Sequence, residues 1–74
     1  MPKTVSGKKL VKILCKEFGF IVVSQKGSHL KLSKTTSNRE VIAVIPQHRE
    51  LARGTLKGCL KLAELEIHDV INFF

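Results

Sequence analysis

Apolar positions along this chain recur at two different periods. After Ser6, the residues Leu10, Val11, Leu14, Cys15 and Phe18 stand three or four apart until Gly19. That spacing predicts a helix with Ser6 as its N-cap and Gly19 as its stop, since a hydroxyl satisfies a free amide and glycine tolerates the left-handed turn that ends helices. From Phe20 to Lys26 the chain becomes β-branched, and from His29 to Lys34 apolar and polar residues alternate. Gly27-Ser28 between them is a two-residue hairpin turn of the kind with glycine first. In that register Lys26 faces His29 and Ser24 faces Lys31, while Ile21, Val23, Leu30 and Leu32 share the other face and are expected in the core.

A polar turn is expected from Thr35 to Arg39, then a third strand from Glu40 to Ile45, ended by Pro46. Gln47 to Arg53 reads as a connecting loop. Thr55 is a suitable N-cap for a second helix carrying Leu56, Cys59, Leu60 and Ala63. Gly58 inside it costs about 1 kcal/mol relative to alanine and is expected to mark close packing. Ile67 to Phe74 reads as a short third helix, whose Val70, Ile71, Phe73 and Phe74 are expected to close the core rather than form an interface. The fold class is therefore α+β in the order α-β-β-β-α with a short C-terminal helix. Two helices on one face of a three-stranded antiparallel sheet leave its other face free to work, and residues 1–74 are expected to form one domain.

Charge narrows the choice of partner. Thirteen Lys and Arg against six Asp and Glu give a formal charge of +7 over 74 residues, a field that draws polyanions, nucleic acid foremost. No apolar run approaches membrane-spanning length, and Met1-Pro2-Lys3 opens neither a signal peptide nor a lipidation motif, so a cytoplasmic protein is expected. Lys8, Lys12 and Lys16 repeat at four-residue intervals on the first helix. This is a solvated face, or one whose like-charge repulsion is relieved against phosphate. Cys15 and Cys59 form no CxxC pair and are expected as reduced core residues.

Candidate chemistry is reached largely by elimination. The six carboxylates are scattered, which argues against a two-metal nuclease, and Gly54 and Gly58 lack the Lys-Ser/Thr ending of a phosphate loop. No metal or cofactor is expected. Histidine remains, with an ordinary pKa of about 6.5 suited to proton transfer. RNA supplies its own nucleophile in the 2′-OH, so a cleaving protein needs a base, a proton for the leaving oxygen and cations on the phosphate. Position alone makes His29 more often a polar hairpin residue than a catalyst. His68 reads as a surface residue.

Four segments shift that balance: Glu17-Phe18-Gly19-Phe20 at the end of the first helix, Gln25-Lys26-Gly27-Ser28-His29, Ile45-Pro46-Gln47-His48, and Arg53-Gly54-Thr55-Leu56 leading into Leu60. In this order and spacing the chain resembles the HicA family of bacterial and archaeal toxins, also called YcfA-like. The resemblance implies a double-stranded-RNA-binding-domain-like fold and metal-independent mRNA interferase activity. It also implies a HicB-type antitoxin that covers the active histidine, which matches His29. Lys26, Ser28 and Lys31 around it are the expected RNA contacts, together with Lys8, Lys12 and Lys16. His48 matches a second recurring histidine, here read as loop structure or RNA contact before a second proton carrier. Thr55 lies where a helix cap and a phosphate-binding helix end can coexist. Family members usually place glycine after the second helix, where this chain has Glu64-Leu65-Glu66, which leaves that helix end open. A noncatalytic RNA-binding module of the same fold is the alternative.

Overall fold

The computed structural model describes residues 4–74; Met1-Pro2-Lys3, where no targeting signal is expected, lies outside them. The elements run α1 (Gly7–Phe18), β1 (Ile21–Lys26), β2 (His29–Thr36), β3 (Arg39–Pro46), α2 (Arg53–Leu62) and α3 (Ile67–Val70), followed by a 3-10 turn, Ile71–Phe73. The strands form one antiparallel sheet in the order β1-β2-β3. This is the α-β-β-β-α order expected from the sequence.

The first helix is closed by its own residues. Ser6 accepts a hydrogen bond from the Lys9 amide at 3.0 Å, and Gly19 takes the left-handed φ of 79° that turns the chain into β1. Leu10, Ile13 and Leu14 point inward, with Val11, Cys15 and Phe18 packed around them. Gly7 is required for a different reason: a Cβ there would lie 2.0 Å from the Pro46 carbonyl oxygen. No side chain fits at that approach.

β2 and β3 carry the core face of the sheet. Across them Leu30 pairs with Ile45, Leu32 with Ala43 and Lys34 with Val41. Leu32, Val41, Ala43 and Ile45 join Leu10, Leu14, Leu56 and Leu60 in one hydrophobic cluster. Both helices therefore pack on the same face. Lys34 reaches over the buried Phe20, its ammonium 5.0 Å from the ring centroid, and keeps its charge at the edge of that cluster. At the C-terminus Val70 is fully buried and Phe74 packs on the cluster as expected, but Phe73, also expected in the core, stays half out and meets Phe18 edge to face at 6.1 Å, a correction to that reading.

Three further expectations are corrected. Ile21 and Val23 do not enter the core. A bulge between Val22 and Ser24 shifts the register, so that Val22 pairs with Leu32 and Ile21 with Ser33, and β1 extends beyond the helices with Ile21, Val22 and Val23 at 63%, 46% and 47% exposure. Thr55 is not the N-cap: α2 begins three residues earlier than that cap would allow, after Ala52, which makes no side-chain cap bond. Its start is set by Leu51, buried and held by its amide to the Val5 carbonyl at 2.8 Å. Gly58 marks no close packing, since nothing lies within 4 Å of the place a Cβ would take.

The end of α2 uses glutamate where glycine is usual. Glu64 adopts φ 62°, the Leu65 amide bonds back to the Leu60 carbonyl, and the Glu64 amide to that of Lys61. Those two bonds make a Schellman ending. The Glu64 carboxylate is paired with the Arg39 guanidinium, whose hydrogen bond and charge hold it below the usual carboxylate range.

Candidate nucleic-acid interface

The face of the sheet turned away from the helices is assembled row by row by the hairpin register. Lys26 pairs with His29 and His29 with Pro46; Ser24 pairs with Lys31 and Lys31 with Val44. Directly opposed residues share a face, so His29 stands between two lysines, one across the strand pair and one two residues along its own strand. Gly27, with φ 59°, and Ser28 form the turn. Positive φ at the first turn position alone suits a turn whose twist matches the paired strands. The Gln25 side-chain amide braces it by donating to the Gly27 carbonyl at 3.0 Å.

These residues line a shallow concavity of about 630 Å³ bounded by Ser24, Lys26, Gly27, Ser28, His29, Lys31 and Val44. No carboxylate lines it, and His29, Lys26 and Lys31 are all exposed. An anion entering it meets two ammonium groups and an imidazole with little desolvation. Among the described residues, no three His, Cys, Asp or Glu side chains gather in a way that would hold a metal ion.

The loop after β3 supports the concavity from one side. The Gln47 amide donates to the Ser28 carbonyl at 2.6 Å, and the Gly7 amide to the His48 carbonyl at 2.9 Å. The Gln47 side chain turns back to the Ile45 carbonyl at 3.1 Å. His48 thus sits on an exposed loop tied to the hairpin turn, outside the lining of the concavity.

The expected site residues divide into two groups. His29, Lys26, Ser28 and Lys31 come together. Lys8, Lys12 and Lys16 are exposed on α1, on the helix side of the sheet, and Thr55 is exposed in the first turn of α2; none of them lines the concavity. Gln25, Gln47, Gly7 and Val44 shape the site without having been singled out for it. The two glutamines do lie inside motif segments, whereas Gly7 and Val44 are visible only once the chain is folded. The cysteines take no part: Cys59 is buried beneath β3, Cys15 is half-buried, and burial pushes both thiols up, which keeps them protonated. His68 is exposed beside Glu66 and Asp69.

A family model described as the HicA toxin of bacterial toxin-antitoxin matches residues 7–65. The chain belongs to the HicA toxin family. Searches of curated proteins and of solved structures found no match. The HicA match contains all four segments that carry the resemblance, and with them His29 and His48. It stops before α3, so His68 and the Phe73-Phe74 end lie outside it. Among the described residues, no helix of this HicA chain is long and apolar enough to cross a membrane.

Proposed function

We propose that this chain is an mRNA interferase, the RNA-cutting partner of a toxin–antitoxin pair, and that it works without metal. The observation that carries the reading is the exposed His29 set between Lys26 and Lys31 on the open face of the sheet. His29 takes the proton of a ribose 2′-OH as O2′ attacks the adjacent phosphorus. A new P–O2′ bond forms, the P–O5′ bond breaks, and O5′ takes up a proton from water. The products are a 2′,3′-cyclic phosphate and a 5′-hydroxyl, and the imidazolium returns its proton to solvent. Lys26 and Lys31 offset the charge on the non-bridging oxygens, with Ser28 beside them to donate a hydrogen bond. An antitoxin of the HicB type would neutralise the chain by presenting acidic and polar groups to this concavity, placing His29 out of reach of RNA.

The test is cleavage of a defined RNA in EDTA by the wild type and by His29→Ala, with binding measured in parallel. The variant is expected to bind within about threefold of the wild type and to cut at least about 100-fold more slowly, the usual worth of a positioned base. Cleavage retained by the variant would remove His29 from the chemistry. Binding by both proteins with cleavage by neither would leave a noncatalytic RNA-binding module. Lys26→Ala and Lys31→Ala are expected to weaken binding and flatten its dependence on salt, as lost phosphate contacts do.

A further inference from the structure

On the helix side of the molecule, α2 and α3 leave a groove of about 580 Å³ lined by Arg53, Lys57, Gly58, Lys61, Leu65 and Ile67 among others, none of which borders the concavity around His29. Its walls are mostly apolar, supplied by the partly buried Leu65 and Ile67 and the stems of the basic side chains, with the buried Leu60 at its floor. Along one side run Arg53, Lys57 and Lys61, at four-residue intervals on one face of α2. Glu66 is the one carboxylate of the lining.

Gly58 is the residue that the fold does not explain. It lowers the helical propensity of α2, its backbone is regular helix, and the space above it is empty. Neither a turn nor a close approach within the chain requires glycine there. What the missing side chain does is keep the groove open. An apolar trough into which any larger side chain at Gly58 would project, bordered by a row of cations, fits an incoming segment with apolar anchors and carboxylates beside them. RNA is the poorer fit, because the walls offer aliphatic side chains and no aromatic ring on which a base would stack.

We propose that the α2–α3 groove is a docking site for an acidic, apolar-anchored peptide segment of a protein partner. Apolar side chains of the segment lie on Leu65 and Ile67 over Gly58, and its carboxylates meet Lys57 and Lys61. The site is separate from the concavity around His29, so it stands or falls independently of the nuclease reading.

The experiment uses the full-length chain labelled with 15N and three probes: a 12-residue peptide with Leu at helical spacing and Glu at the other positions, the same peptide with Lys replacing Glu, and a 12-nucleotide RNA. The acidic peptide is expected to shift the amide signals of Gly58, Leu60, Leu65 and Ile67 in a saturable way, and the basic peptide to leave them in place. Gly58→Leu projects into the groove and is expected to weaken peptide binding at least tenfold, while raising the thermal midpoint and leaving RNA cleavage unchanged. The raised midpoint separates blockage from misfolding. Lys57→Glu with Lys61→Glu is expected to weaken peptide binding at least fivefold. Wild-type affinity in Gly58→Leu, peptide shifts confined to the sheet face, or groove shifts produced by RNA rather than by peptide would each overturn the proposal.

Discussion

At the β3 edge of the sheet, Val41, Ala43 and Ile45 are sealed beneath the helices, whereas at the β1 edge every residue is exposed, although Ile21, Val22 and Val23 are as apolar as anything in β3. β2 belongs to both edges. Its Leu32 is fully buried against the helices, and its His29 and Lys31 look out beside β1. The difference separates two tasks that share one hairpin. Burial under β3 holds the molecule together, and the loosely supported β1 side holds side chains in solvent where a polyanion can reach them. Replacing residues of the concavity should therefore alter chemistry with little effect on folding, and replacing residues of the β3 side should do the opposite.

The largest test of that division is Leu32→Ala. Removing a side chain with no exposed surface from the centre of the cluster is expected to cost about 2–5 kcal/mol in a urea titration, enough to unfold much of so small a protein. A smaller loss is expected for Gly7→Ala, about 1–3 kcal/mol, because the added Cβ must push the Pro46 carbonyl away and with it the start of the loop tied to Ser28. If that variant unfolds at the wild-type midpoint, the approach of α1 to β3 is not the constraint described here.

Glu64→Gly should move stability slightly, and its sign follows from two opposed effects. Glycine relieves the left-handed backbone but loses the pair with Arg39. Since the Glu64 carboxyl is held below its ordinary range in the folded chain, the pair's contribution is fully present above that range and is lost as pH falls through the folded value. The gain in thermal midpoint from Glu64→Gly is therefore expected to be larger in acid than at neutral pH. An advantage independent of pH would mean that the pair contributes nothing. The smallest effect belongs to β1: Ile21→Thr is expected to change unfolding free energy by no more than about 0.5 kcal/mol, as for a surface site. A larger loss would show that β1 is buried in solution by something other than this chain.

Local chemistry made much of this legible. Ser6 and Gly19 mark α1 because a hydroxyl cap and a left-handed stop act within a few residues of themselves. The pairing of Lys26 with His29 and Ser24 with Lys31 was readable for the same reason, since Gly27-Ser28 fixes the register nearest the turn. Farther out it failed. Ile21-Val22-Val23 has no alternation, so nothing in those residues announces the bulge. The start of α2 is not legible locally because Thr55 is a better cap than Ala52, yet Leu51 is fixed by a hydrogen bond to Val5, far away in sequence. Its end was open because Glu64 draws support from Arg39, on another element. The centre of the candidate site was visible in the hairpin motif. The loop that steadies it was not, because the bonds from Gln47 to Ser28 and from Gly7 to His48 join distant segments.

The bulge at Val23 also bears on solubility. A straight outer strand carrying three neighbouring aliphatic residues would offer its unpaired amides and carbonyls to any other copy of the chain, and copies would stack strand on strand. By shifting the register at that point, and by ending β1 in a lysine, the fold spoils the template while keeping β1 paired with the strand that carries His29. One extra residue in the ladder thus makes a greasy border a poorer template for a second copy of the chain.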